Sequence, residues 1–212
     1  MSKNIKLTYF NLNGRAMVPR FILSTAKVEF TDEQFTFEQW GKEAPNHEYN
    51  QLPQLNIDGR VFSQSHAICH YLAKKYAPEL LGKNHEEEYE VQNLVFAVED
   101  IAGHLFALIL NQDPSKRQGL LEVAESELKR FVGVWEKKYS ANGAGKYYLG
   151  DYITLADVTL DYFQYLVTVI IPDLEKTFAG LAPTLNKIIL GNRESGPIKE
   201  FRDSKFFITK SA

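Results

Sequence analysis

Apolar positions change their spacing once along the chain, near residue 78. Ile5, Leu7 and Tyr9 alternate with polar residues, the period of a strand with one covered face. Asn13-Gly14 interrupts the pattern. From Arg15 to Ala26, Val18, Ile22 and Leu23 recur at helical spacing, with Pro19 tolerable only near the first turn. Phe30 to Phe37 suggests a second strand. Leu55 and Ile57, then Asp58-Gly59, then Val61-Phe62 predict a hairpin closed by a two-residue turn. Ser65 suits the N-cap of a helix bearing Ile68, Tyr71, Leu72 and Tyr76. Strand–helix–strand followed by hairpin–helix predicts an α/β domain over residues 1–78.

Beyond Ala77-Pro78 strand signals almost vanish. Val91, Leu94, Val98, Ile101, Leu105 and Leu108 step by threes and fours along one long helix. Asp113-Pro114-Ser115 stops it and caps the next, which carries Leu121, Ala124, Leu128, Phe131, Val132, Trp135 and Tyr139. Gly143 and Gly145 mark a loop. Thr154 to Asp157 reads as a capping box with Asp in the usual Glu or Gln place, and Ile153 can staple onto Val158. The apolar run to Ile171 predicts a buried helix, and two shorter helices follow around 185–190 and 198–201. The expected second domain is all-helical and spans residues 84–212.

Composition narrows the chemistry. A net charge of −3 gives no electrostatic case for nucleic acid or an anionic membrane. The start has no long apolar leader and no stretch of 18 apolar residues follows, so a cytoplasmic protein is expected. Cys69 is the single cysteine, which rules out an intrachain disulfide and a C-x-x-C pair. It falls inside a helix pattern, where packing is the ordinary role. His66 and His70 stand four apart, but no third convergent ligand is evident, and no metal is expected. Nucleotide-binding glycine motifs and the G-x-S-x-G nucleophile motif are absent.

One segment, QLPQL at 51–55, places a proline where a strand should begin. An X–Pro bond there can be cis, turning the amide and carbonyl of Leu52 out of the ladder to pair with an added peptide. Gln64 and Ser65 then open a helix, where amide groups and the dipole favour an anion. The plainer reading is a turn and a cap.

Six features in order make a larger pattern: LTYFNLNGRA at 7–16, Trp40, QLPQL at 51–55, QSHAI at 64–68, VED at 98–100 and GDYITLADV at 150–158. Together they resemble a cytosolic glutathione transferase, most similar to the sigma class, the group that includes glutathione-dependent prostaglandin D synthases. The resemblance covers essentially the whole chain. It implies a thioredoxin-like first domain with a mixed four-stranded sheet, glutathione as co-substrate, no metal, and a homodimer acting on small hydrophobic electrophiles. Tyr9 would be the catalytic hydroxyl, donating a hydrogen bond that favours the thiolate of glutathione, with Arg15 strengthening the positive field. Trp40 would hold the glycyl end, Leu52 before Pro53 the cysteinyl unit, and Gln51, Gln64 and Ser65 would complete the grip. Asp100 would reach the γ-glutamyl amine bound in the partner subunit. Phe10, Ala102, Phe106, Ala107 and Phe207 would line the hydrophobic pocket.

Two departures stand out. The family's lysine four residues after the tryptophan is Ala44 here; Lys42 replaces it, or the contact is missing. Asn50 stands where glycine is usual. A rival reading is a transferase fold kept as a hydrophobic-ligand carrier or a structural, crystallin-like protein.

Overall fold

The computed structural model describes residues 4–143 and 145–209. Its chain forms two compact units, one from the residues up to Leu81 together with those from Ser195 onward, the other Gly82–Glu194.

The first unit is built on a four-stranded sheet of order β2-β1-β3-β4, with β1 Ile5–Phe10, β2 Thr31–Phe35, β3 Gln54–Ile57 and β4 Arg60–Ser63. Strand β1 runs parallel to β2 and antiparallel to β3, which closes the hairpin with β4. This is the mixed thioredoxin-like sheet. Asp58 and Gly59 both have positive φ, 52° and 89°, as a tight hairpin turn requires.

Pairing Leu7 with Leu55 and Ile5 with Ile57 puts four buried apolar side chains on one face. Helices α1, Met17–Thr25, and α3, Ser65–Tyr76, pack on each other and bury Phe21, Ile22, Ile68 and Leu72. Asp32 shares the register of Leu7 and meets Arg20 of α1, whose Nε lies 3.0 Å from its carboxylate. Arg20 is fully buried, so this ion pair has little water to compete with it. Thr8 and Phe10 lie opposite Glu33 and Phe35. Phe10 and Phe35 meet the ring of Trp40 in helix α2, Phe37–Glu43.

Two elements differ from the sequence expectation here. Helix α2 was not foreseen; it starts where the strand pattern of 30–37 was still running. The helical domain expected over 84–212 loses its last stretch to the first unit. Helix α9, Pro197–Arg202, sets Phe201 edge-on to Phe21 at 5.5 Å, and Phe206 stacks on Phe30 at 4.5 Å.

The second unit comprises α4 His85–Leu110, α5 Arg117–Ala141, α6 Leu155–Ile170, α7 Asp173–Leu181 and α8 Pro183–Glu194. By length and composition α4 could cross a membrane, with an 18-residue window of mean hydropathy 1.6. Its stripe from Val91 to Leu108 is nonetheless buried, and the helix packs on α5 and α6. Thr154 and Asp157 form the expected capping box at the start of α6. Asp113 accepts the Ser115 amide ahead of α5, as its sequence suggests. Helix α7, also unforeseen, buries Leu174 and Phe178 at i, i+4 spacing.

Candidate functional site

Tyr9 occupies the next-to-last position of β1 and is 5 % exposed. The chain then turns through Gly14–Ala16, a short 3-10 turn, before entering α1. That turn brings the backbone N–H of Arg15 to the Tyr9 Oη at 3.0 Å. Gly14 makes the approach possible: it has φ +38°, and a Cβ there would sit 2.6 Å from Tyr9 Oη. A phenol has one proton to donate and two lone pairs. With a lone pair occupied by Arg15, the O–H remains available as a donor. Burial raises the hydroxyl above the ordinary tyrosine range, against the pull of the Arg15 amide and of the Arg15 and Arg20 charges. Tyr9 therefore keeps its proton at neutral pH, which suits a hydrogen-bond donor and not a base.

The loop between Tyr9 and Arg15 is tied at almost every residue. Asn11 N–H donates to Phe35 carbonyl at 3.1 Å. Arg20 Nη1 donates to Leu12 carbonyl at 2.7 Å. Asn13, fully buried, is held through its side chain by Ile208. Sequence reading missed Asn13 and Arg20, because their partners are not visible in the local pattern.

The second cluster lies at the head of α3. The Leu52–Pro53 bond is cis, and the ladder begins only at Gln54, leaving Leu52 outside it. Gln64 Nε2 donates to Gln51 Oε1 at 3.1 Å, so two residues thirteen apart in sequence stand together. Gln64, not Ser65, is the N-cap of α3, and its side chain makes no cap hydrogen bond. It has φ +70°, a region that side-chain-bearing residues rarely occupy and that concentrates at binding sites. Ser65 is the first helical residue. Behind it, burial and then the Arg15 charge hold the His66 imidazole below the ordinary histidine range, so Arg15 lies near the start of α3.

Trp40 anchors a third group. Its ring meets Phe10 at 5.7 Å, Phe35 at 6.5 Å and His47 at 5.2 Å. Phe10 also stacks on Phe37 at 4.8 Å. Ala44 continues the helical backbone, and its N–H donates to Trp40 carbonyl, so position 44 shares the face of Trp40. Lys42 is exposed in the last turn, two residues from Trp40 and about 200° around the helix. Asn50 has φ +49°, which explains asparagine at a glycine-like position.

The other expected residues lie apart from these clusters in sequence. Phe207 sets its ring edge-on to Phe201 at 5.8 Å, under Arg202. On α4, Ala102 is buried, Phe106 and Ala107 are half-buried, and Asp100 is exposed. Arg130 of α5 interacts electrostatically with Asp100, although its guanidinium is hydrogen-bonded to Glu127. Among the described residues no group of three His, Cys, Asp or Glu side chains could hold a metal ion.

Comparison with known proteins bears on the family of the chain. The family model for the glutathione S-transferase N-terminal domain matches residues 5–74, and that for the C-terminal domain matches 99–205. A class-mu 28 kDa glutathione S-transferase of Schistosoma haematobium is 31% identical over 190 residues, covering 87% of each chain. Hematopoietic prostaglandin D synthase of Rattus norvegicus is 28% identical, over 87% of this chain and 90% of its own. Among solved structures, a monomeric glutathione S-transferase of Necator americanus superposes with a TM-score of 0.80 at 24% identity, covering 95% of this chain and 97% of its own. Two domain models in series and relatives that span most of the chain lead to one conclusion: it belongs to the glutathione S-transferase family.

Proposed function

We propose that the protein is an active, sigma-like glutathione transferase of the cytoplasm, which forms the glutathione thiolate and delivers it to small hydrophobic electrophiles for conjugation or isomerisation. The observation that carries this reading is the Tyr9 hydroxyl: protonated, buried, and accepting the Arg15 amide. A free thiol has a pKa near 8.5 and is mostly protonated at neutral pH. A hydroxyl already polarised by an amide donor is a stronger donor itself. Directed at sulfur, it favours the thiolate, and each unit of lowered thiol pKa is about 1.4 kcal/mol of preference for that form. Arg15 adds positive charge on the same side.

The tripeptide would lie along the first unit. Leu52's backbone pairs with its cysteinyl unit as an added strand. Gln51, Gln64 and Ser65, at the uncapped head of α3, take the γ-glutamyl carboxylate. Trp40 takes the glycyl end, and Asp100 of a second subunit the amine. The thiolate then attacks the electrophile while positioning and electrostatics supply the rate.

Tyr9→Phe tests the reading. Turnover of a generic aryl halide with glutathione at pH 6.5 should fall roughly 10- to 100-fold with KM for glutathione little changed. Full turnover by the variant would assign thiol activation to another group. Wild-type protein that binds hydrophobic ligands without turning over any electrophile would make it a carrier.

A further inference from the structure

The side-chain amide of Asn13 and the backbone of Ile208 exchange two hydrogen bonds. Asn13 Nδ2 donates to Ile208 carbonyl at 2.9 Å, and Ile208 N–H donates to Asn13 Oδ1 at 2.9 Å. The pair is matched donor to acceptor on both sides, an arrangement only one orientation of the amide satisfies. Asn13 has no exposed surface and Ile208 is half-buried, so the two bonds are partly sheltered from water. The residues concerned are 195 positions apart.

Both ends of this clasp are fixed to something that matters. Ile208 follows three aromatic or basic anchors: Phe206 on Phe30, Phe207 on Phe201, and Arg202 over Phe207. Asn13 precedes Gly14 and Arg15, and its carbonyl accepts the Ala16 N–H at 3.1 Å, closing the turn that aims the Arg15 amide at Tyr9. Arg20 restrains Leu12 on the other side.

We propose that the C-terminal segment is a positioning element for thiol activation: by clasping Asn13, Ile208 holds the 13–16 turn so that the Arg15 amide stays on the Tyr9 hydroxyl. The inference rests on the reading of Tyr9 given above. Without the clasp the turn loses its tie at Asn13, the amide leaves the hydroxyl for part of the time, and Tyr9 becomes a weaker donor to sulfur. The charged groups that act on this spot are Arg15 itself, Arg20 with its partner Asp32, and His66 at the head of α3. None of them is removed by the changes below.

Asn13→Ala deletes both bonds. Ile208→Pro deletes only the N–H donor, leaves Asn13 intact, and falls outside the helices and strands, where the fold should survive. Three measurements decide. Hydrogen exchange of the Arg15 amide, read without substrate, should accelerate by roughly fivefold or more in both variants, the equilibrium worth of about one net hydrogen bond. The thiolate fraction of bound glutathione, followed by ultraviolet difference spectra against pH, should have its midpoint raised by about half a unit to one unit. The kcat/KM for glutathione should accordingly fall several-fold at pH 6.5 and recover towards wild type at high pH. Combining the variants should add little to Asn13→Ala alone, because they cut one interaction. Unchanged Arg15 exchange in both variants, a loss equal at every pH, or full additivity of the two changes would overturn the proposal. Wild-type protein that forms no thiolate would instead overturn the function of Tyr9, while the exchange measurement would still judge the clasp.

Discussion

Position 44 shows how one residue carries meaning through its place on a helix. Ala44 continues the turn begun by Trp40, so the two share a face, whereas Lys42 projects from another. The placement favours the missing-contact alternative over a role for Lys42. Ala44→Lys should therefore lower KM for glutathione several-fold with kcat nearly unchanged, and Lys42→Ala should move KM less; initial-rate kinetics with varied glutathione read both. A KM that responds to Lys42→Ala and not to Ala44→Lys would restore Lys42 to the glycyl end. Other residue-level features were legible because they are local: the cis bond at Pro53, the polar pair opening α3, the tyrosine ending a strand. Cys69 also kept its plain reading, since burial pushes its thiol far up from the ordinary range, leaving essentially no thiolate at neutral pH. Asn13 and Arg20 were illegible for the opposite reason. Their partners are Ile208, Leu12 and Asp32, and no periodicity connects an asparagine to a residue 195 positions away.

Elements were legible where their own stop signals met no competing pattern. The two long helices, the D-G hairpin and the start of α6 were of this kind. Helix α2 had such a signal too, Thr36 and Gln39 three apart, and the structure completes that capping box. Phe35 and Phe37 beside it sustain a strand pattern, and the strand reading overrode the cap. At α3 the N-cap falls on Gln64, a residue type that seldom takes that place, so Ser65 looked the better choice. Helix α7 follows directly on Pro172, a residue easily read as the end of α6 alone. The cap of α6 is where an element's stability can be tested. Asp157 is buried and accepts the Tyr148 N–H at 2.7 Å, the Thr154 N–H at 2.8 Å and the Thr154 hydroxyl at 3.1 Å. Asp157→Ala leaves three buried donors without that acceptor. A cost on the order of 3 kcal/mol is expected, seen as a thermal midpoint lowered by roughly 5–10 °C. A shift under about 2 °C would mean that the donors find other partners.

At the scale of the whole molecule the open matter is whether one chain suffices. Asp100 is exposed on α4, and Tyr49 is 65 % exposed on the segment before Pro53. Tyr49 also has φ +59°, a costly conformation for an aromatic residue, and nothing in the hydrogen bonding of the neighbouring turn calls for a ring there. A large ring held outward by a strained backbone is the form of an anchor for another surface. In a twofold homodimer such an anchor acts twice, and Asp100 of each subunit would serve the glutathione of the other. Tyr49→Ala is a clean probe, because alanine keeps the β-carbon and with it the backbone strain, so the difference reports the ring. Truncating a desolvated aromatic anchor costs on the order of 2 kcal/mol; the homodimer loses two of them, about 4 kcal/mol, which is roughly a 1,000-fold weaker dimer. Sedimentation at micromolar concentration should then show Tyr49→Ala shifted towards monomer, with turnover lost in proportion. Asp100→Ala should stay dimeric and keep its thermal midpoint, yet bind glutathione several-fold more weakly. A wild-type chain that sediments as a monomer and still turns over glutathione would confine the site to a single subunit and leave Tyr49 and Asp100 with no part in it.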